Sequence, residues 1–217
     1  MIPKSTLVFL NNLSKNNNKA WFDEHRTEYT QAKQNFEELI EKLIHKISAF
    51  EDLGILIPKD CLFRINRDVR FSNNKSPYKN NFGAAIAKGG KKNLFGSYYL
   101  HIQPGQSFIG GGLYHPDTKT LNKFRDYILD NPKKFLPIID QSDFQKYFGP
   151  LQGESLINTP RGYSKELPLQ QYLKLKSLTA IHHLTDQTLT SKNLESEIIK
   201  GCRLLSPYLS LISKTQS

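Results

Sequence analysis

The 217-residue sequence predicts a single α+β domain, residues 1–217, with a mostly antiparallel sheet, a long N-terminal helix and further helices packed on the sheet. Three observations predict it: an apolar stripe over residues 22–50, strands folded back across Pro104-Gly105, and helices that follow the strands in runs. The strict βαβ alternation of a parallel sheet is absent.

Along the chain, the Asn16-Asn17-Asn18 cluster is suited to capping a helix, and Asp23 and Glu24 follow where the helix dipole favours negative charge. Phe22, Tyr29, Phe36, Leu43 and Phe50 then recur every seven residues, with His25, Ala32 and Leu39 between them, which predicts one amphipathic helix of about eight turns. Ile40, Ile44 and Ile47 widen its apolar face beyond a coiled-coil seam, so packing across a sheet is expected. Pro58 closes the region. Residues 63–71 read as a strand, as does 82–87. Residues 97–103 alternate, with Tyr98, Leu100 and Ile102 on one face and Tyr99, His101 and Gln103 on the other; 107–114 returns antiparallel after the turn. Gly110, Gly111 and Gly112 weaken that return strand unless a bulge or close neighbour needs the space. Pro116-Asp117 starts a helix, Pro132 opens another through Ile139, and residues 149–168 read as irregular. A strand over 173–182 and a helix capped by Thr185 or Thr190, bent or ended by Pro207, complete the chain.

The chemistry concentrates in Arg64-Ile-Asn-Arg67-Asp68-Val-Arg70-Phe71, followed by Asn74, Lys75, Tyr78 and Lys79. Only seven arginines stand against twenty-three lysines, and three of the seven fall here. Arginine offers a planar fork that grips carboxylate or phosphate with two bonds, so the enrichment points to anion recognition rather than generic charge. As a strand, the segment would place Phe63, Ile65, Arg67, Val69 and Phe71 on one face and Arg64, Asn66, Asp68 and Arg70 on the other. Asp68 would steer the arginines, and the surplus of positive charge would remain for a ligand. The competing reading is an internal salt-bridge network that only organises the fold. On the strand register, Arg67→Ala is expected to cost about 3 to 5 kcal/mol by leaving a buried partner unpaired, and Arg70→Ala to abolish anion binding.

The run R-x-x-R-D-x-R-F-x-x-N-K-x-x-Y, here Arg64 to Tyr78, resembles the signature of a bacterial family known as domain of unknown function 2461. Leu100-His-Ile-Gln-Pro-Gly105, Gly110-Gly-Gly112 and Arg161-Gly-Tyr-Ser-Lys165 resemble the same family's pattern, so the likeness spans nearly the whole chain. The resemblance implies that Arg64, Arg67, Asp68, Arg70, Asn74, Lys75 and Tyr78 act together, and it implies no reaction, substrate or cofactor.

Other classes find little support. Thr6-Leu-Val-Phe-Leu10 is too short for a secretory signal or a membrane span, so a cytoplasmic protein with no membrane association is expected. Cys61 and Cys202 are read as buried thiols, because two distant cysteines make neither a disulfide framework nor a zinc set. His101, His115, His182 and His183 match no ligand spacing, so no metal and no cofactor is expected. No serine sits in a nucleophile elbow, and the signature supplies only one carboxylate; Tyr99 and His101 are acid–base candidates whose plainer reading is as hydrogen-bonded sheet residues. A net charge of +10 invites nucleic acid, but lysine and asparagine are spread over the whole chain and no recognised nucleic-acid-binding motif appears. Two readings stand. In one, Arg64, Arg67, Asp68, Arg70, Asn74, Lys75, Tyr78 and Arg161 bind an anionic small molecule bearing phosphate or carboxylate, with phosphoryl or phosphodiester chemistry as an extension. In the other, a non-catalytic basic module binds nucleic acid or an acidic protein.

Overall fold

Asn18, extended in backbone, accepts a hydrogen bond from the Trp21 N–H and so starts a helix. In the computed structural model, which describes residues 1–93 and 95–216, the stripe expected to form one helix forms two. An earlier helix precedes them: α1 (Lys4–Lys15), α2 (Lys19–Glu24) and α3 (Arg26–Ile47) follow in order. The break falls at His25, whose Nδ1 lies 2.8 Å from the Trp21 carbonyl oxygen and whose ring stacks on Trp21 at 4.0 Å. The His25 ring thus shares the Trp21 carbonyl with the His25 backbone N–H at the end of α2. α3 then buries Ala32, Phe36, Leu39, Ile40, Leu43 and Ile47, the periodic face read from sequence.

Short α4 (Pro58–Cys61) leads to the signature, after which come β1 (Phe82–Ile86), β2 (Tyr98–Ile102) and β3 (Ser107–Leu113). α5 (Thr118–Asp130), capped by Asp117 through the Thr120 N–H, α6 (Pro132–Ile139) and α7 (Ser142–Phe148) follow. α8 (Gln170–Leu173) takes the start of the segment read as a strand, so β4 is confined to Leu178–Leu184. Thr185 caps α9 (Asp186–Leu189) by accepting from the Thr188 N–H, and α10 (Leu194–Gln216) closes the described chain. α10 continues through Pro207 rather than ending there.

The four strands form one antiparallel sheet in the order β1-β2-β3-β4. The glycine run in β3 answers to a close neighbour. Gly112 has φ +132°, and a Cβ there would collide with the Leu178 carbonyl of β4.

By contacts the chain divides into two compact units, and β2, β3, β4 and α10 each contribute residues to both. The first holds residues 1–93, 99–109 and 183–199. Here α3 packs on α1, α2, α4 and β1, with Phe9, Phe36, Leu43, Phe82, Leu100 and Ile102 fully or nearly fully buried. The second takes in the remaining described residues, with α5, α6 and α7 in sequence and a core containing Phe124, Phe135, Phe144 and Tyr208. In this unit Arg125 is 4% exposed, donates to the Asn122 side chain and the Leu175 carbonyl, and lies over the Tyr163 ring. The Tyr163 hydroxyl donates to Asp126 at 2.7 Å, and burial followed by that acid pushes its pKa up to about 12.

Candidate functional site

The signature is not a strand. Between Leu62 and Ala84 it makes two isolated antiparallel bridges, Leu62 with Ala84 and Asn66 with Tyr78, supported by backbone bonds from Phe63 to Gly83, from Arg67 to Pro77 and from Lys79 to Ile65. Four steps separate Leu62 from Asn66 but six separate Tyr78 from Ala84, so the returning leg carries two extra residues, which fall between the Lys79–Ile65 and Phe63–Gly83 bonds. Up to Arg70 the sides follow the alternation expected: Ile65 is buried, Phe63, Arg67 and Val69 half-buried, Arg64, Asn66, Asp68 and Arg70 exposed. The alternation ends at Phe71. Val69 and Phe71 enter a turn, and Phe71, expected on the apolar face, is 96% exposed beneath the Arg70 guanidinium.

The chain stiffens this excursion with its own polar groups. Arg67 donates to the Ser76 carbonyl at 3.0 Å and to the Ser72 hydroxyl at 3.3 Å, tying the legs together. Lys75 donates to the Val69 carbonyl, and Asn74 accepts from the Ser76 N–H in an Asx turn. Arg70 grips Asp68 with two bonds, at 3.0 and 2.6 Å, which holds the exposed Asp68 carboxyl below its usual range. Asn17 accepts from the Tyr78 N–H and donates to the Tyr78 carbonyl, acting as a surrogate strand neighbour. Tyr78 is thereby pinned, 7% exposed, with its ring stacked on Phe22 at 4.0 Å.

Between the α1–α2 junction and the returning leg lies a cleft of about 290 Å³, lined by Ser14, Asn17, Arg67, Asn74, Ser76, Tyr78, Lys79, Asn80 and Asn81. Two of those nine residues are cations and none is an acid. Burial, then the nearby Arg64 charge, lowers the Lys79 pKa, as expected of an ammonium without a carboxylate beside it. Arg67 uses two of its five N–H donors in the bonds above.

Of the residues singled out from sequence, Arg67, Asn74 and Tyr78 reach the cleft wall. Arg64, Asp68, Arg70 and Lys75 do not line it: all four are exposed, and three of them are engaged within the 68–75 turn. Arg161 belongs to the second unit, exposed in the turn that presents Tyr163. Sequence reasoning missed Ser14, Asn17, Asn80 and Asn81, and left Lys79 outside its site. Consecutive Asn80-Asn81 before a strand was the available signal, since asparagine is disfavoured in strand interiors.

Beside the cleft, His101 accepts at Nδ1 from the Asn81 amide (3.3 Å) and sets Nε2 2.9 Å from the Gln103 side-chain oxygen, which fits a neutral ring protonated at Nε2. Burial lowers its pKa. Among the described residues no three of His, Cys, Asp and Glu gather to hold a metal, and no helix is long and apolar enough to cross a membrane.

The profile of a family described as "Conserved hypothetical protein (DUF2461)" matches residues 5–210. The chain belongs to the DUF2461 family. The match takes in both the signature and the Arg161–Lys165 phrase, so the DUF2461 pattern extends over both units. No curated protein and no solved structure matches the chain.

Proposed function

We propose that the cleft beside the signature binds the phosphate or carboxylate group of an anionic ligand. The observation that carries this reading is the make-up of the wall: Arg67 and Lys79 with asparagine and hydroxyl donors, and no acid to neutralise them. An incoming anion would supply the counter-charge that the partly buried Lys79 lacks and would meet the N–H groups of Arg67 left over from its loop-tying bonds. Asp68 is kept out of the contest, because Arg70 occupies it from the exposed side. The reading is one of binding. The same cations would offset charge on a transferring phosphoryl group, but the lining holds no carboxylate, imidazole or thiol to serve as general base.

Titration calorimetry with inorganic phosphate tests it. Lys79→Gln keeps a polar side chain while removing the charge, and should weaken phosphate about ten- to hundredfold, the worth of one charge-assisted hydrogen bond. Unchanged affinity in a folded Lys79→Gln protein would overturn the assignment.

A further inference from the structure

The side chains of β2 divide cleanly between two faces. Tyr98, Leu100 and Ile102 are 1%, 0% and 0% exposed, whereas Tyr99 and His101 on the opposite face are half-buried. On this second face the rings run in a row. Phe63 meets Tyr99 at 6.0 Å, Tyr99 meets Phe108 of β3 at 5.8 Å, His101 stacks on Phe108 at 4.8 Å, and Phe108 meets the exposed His183 of β4 at 6.3 Å. Gly83 supplies the space on β1: its absent Cβ would stand 2.6 Å from the Tyr99 hydroxyl and 3.3 to 3.4 Å from ring carbons, so Tyr99 leans across the neighbouring strand.

This row and the anion cleft share residues. Lys79 lines the cleft while its ammonium lies 5.6 Å from the Phe63 ring centroid, and Asn81 lines the cleft while its amide meets His101. Positive charge and stacking surface are therefore contiguous, with Arg64 exposed beside them.

We propose that the ligand of this site is single-stranded nucleic acid, with a backbone phosphate at Arg67 and Lys79 and successive bases laid along the Phe63–Tyr99–His101–Phe108–His183 row. The inference rests on the cleft's being an anion site. Base stacking on aromatic side chains is tolerant of sequence and combines with cations that follow the backbone, which is the pairing of features found here. An acidic peptide would use the cations but leave the rings idle. A free nucleotide would cover only part of a row that reaches from the signature leg to β4, since adjacent strands are about 4.8 Å apart and the sheet holds four. A duplex stacks its bases internally and presents none to the rings.

Fluorescence anisotropy with a labelled ten-residue oligothymidylate tests the proposal, with the matching duplex and thymidine monophosphate as competitors and phosphate calorimetry run in parallel. The single strand should bind at least about tenfold more tightly than either competitor, and its affinity should fall steeply between 50 and 200 mM salt as counterions are released. Tyr99→Leu should weaken it roughly five- to hundredfold, the worth of one stacked base, while phosphate binding persists. Because Tyr99→Leu disturbs a half-buried position, His183→Ala at the exposed end of the row provides a second reading and should weaken the ten-mer while leaving the monophosphate unaffected. Phosphate binding without single-strand binding would overturn this inference alone, as would a ten-mer that binds no better than the monophosphate or that ignores both ring substitutions. Failure of phosphate and oligonucleotide together would remove the anion-site reading as well.

Discussion

Arg67 and Arg70 stand three residues apart in one signature and do different work. Arg70 is exposed and spent on Asp68, an arrangement worth little in water because solvent screens the pair. Arg67 is half-buried and ties two legs of the chain through a backbone carbonyl and a hydroxyl. The cost expected from sequence for Arg67→Ala supposed a buried charged partner; the Ser76 carbonyl is a neutral one. Arg67→Ala should therefore destabilise by about 1.5 to 3 kcal/mol, the range for hydrogen bonds to a charged group, as read from urea unfolding. A loss near zero would mean that the excursion keeps its shape without the guanidinium. Arg70→Ala, by contrast, removes no group from the cleft wall, and its expected effect on phosphate binding is now small.

At the scale of elements, the signature departs from a strand for a local reason. Its returning leg holds two more residues than its outgoing leg, so the ladder cannot stay in register, and the surplus is placed against the cleft. β2 shows the opposite case. Its alternation is regular, and His101 sits where the pattern puts it, with burial lowering its pKa against the opposing pull of the Gln103 hydrogen bond. The sign of the pH dependence follows. With its folded pKa depressed, His101 binds fewer protons when folded than when unfolded, so its contribution is fully present above the unfolded value of about 6.5 and is lost as pH falls through the folded value. Urea unfolding should show stability falling as pH is lowered from 7 to 5, with a shallower slope in His101→Gln. Equal slopes in the two proteins would assign the acid sensitivity to other groups.

Across the whole molecule, both cysteines lie in packed interiors at 0% exposure, Cys61 in the first unit and Cys202 in the second. Burial, with Asp60 adding to it, pushes the Cys61 thiol up to about 11, far from the range of a reactive thiolate. Neither thiol should react with a disulfide reagent at pH 8 until urea unfolds the protein, and rapid labelling under native conditions would contradict the packing of the labelled unit. The amino-acid order by itself determined the α+β class, the buried face of α3, the Pro104-Gly105 hairpin and the Asp117 cap, because each follows from residues within a few positions of one another, whereas Thr185 caps the separate α9 and not the final helix expected of it. It also marked Arg67, Asn74 and Tyr78. Only the tertiary structure decided that Asn17 comes across sixty-one residues to hold Tyr78 and that Lys79, Asn80 and Asn81 line the cleft. Those outcomes depend on a register slip and on contacts between distant segments, and periodicity along a chain carries no information about which distant segment will supply the partner.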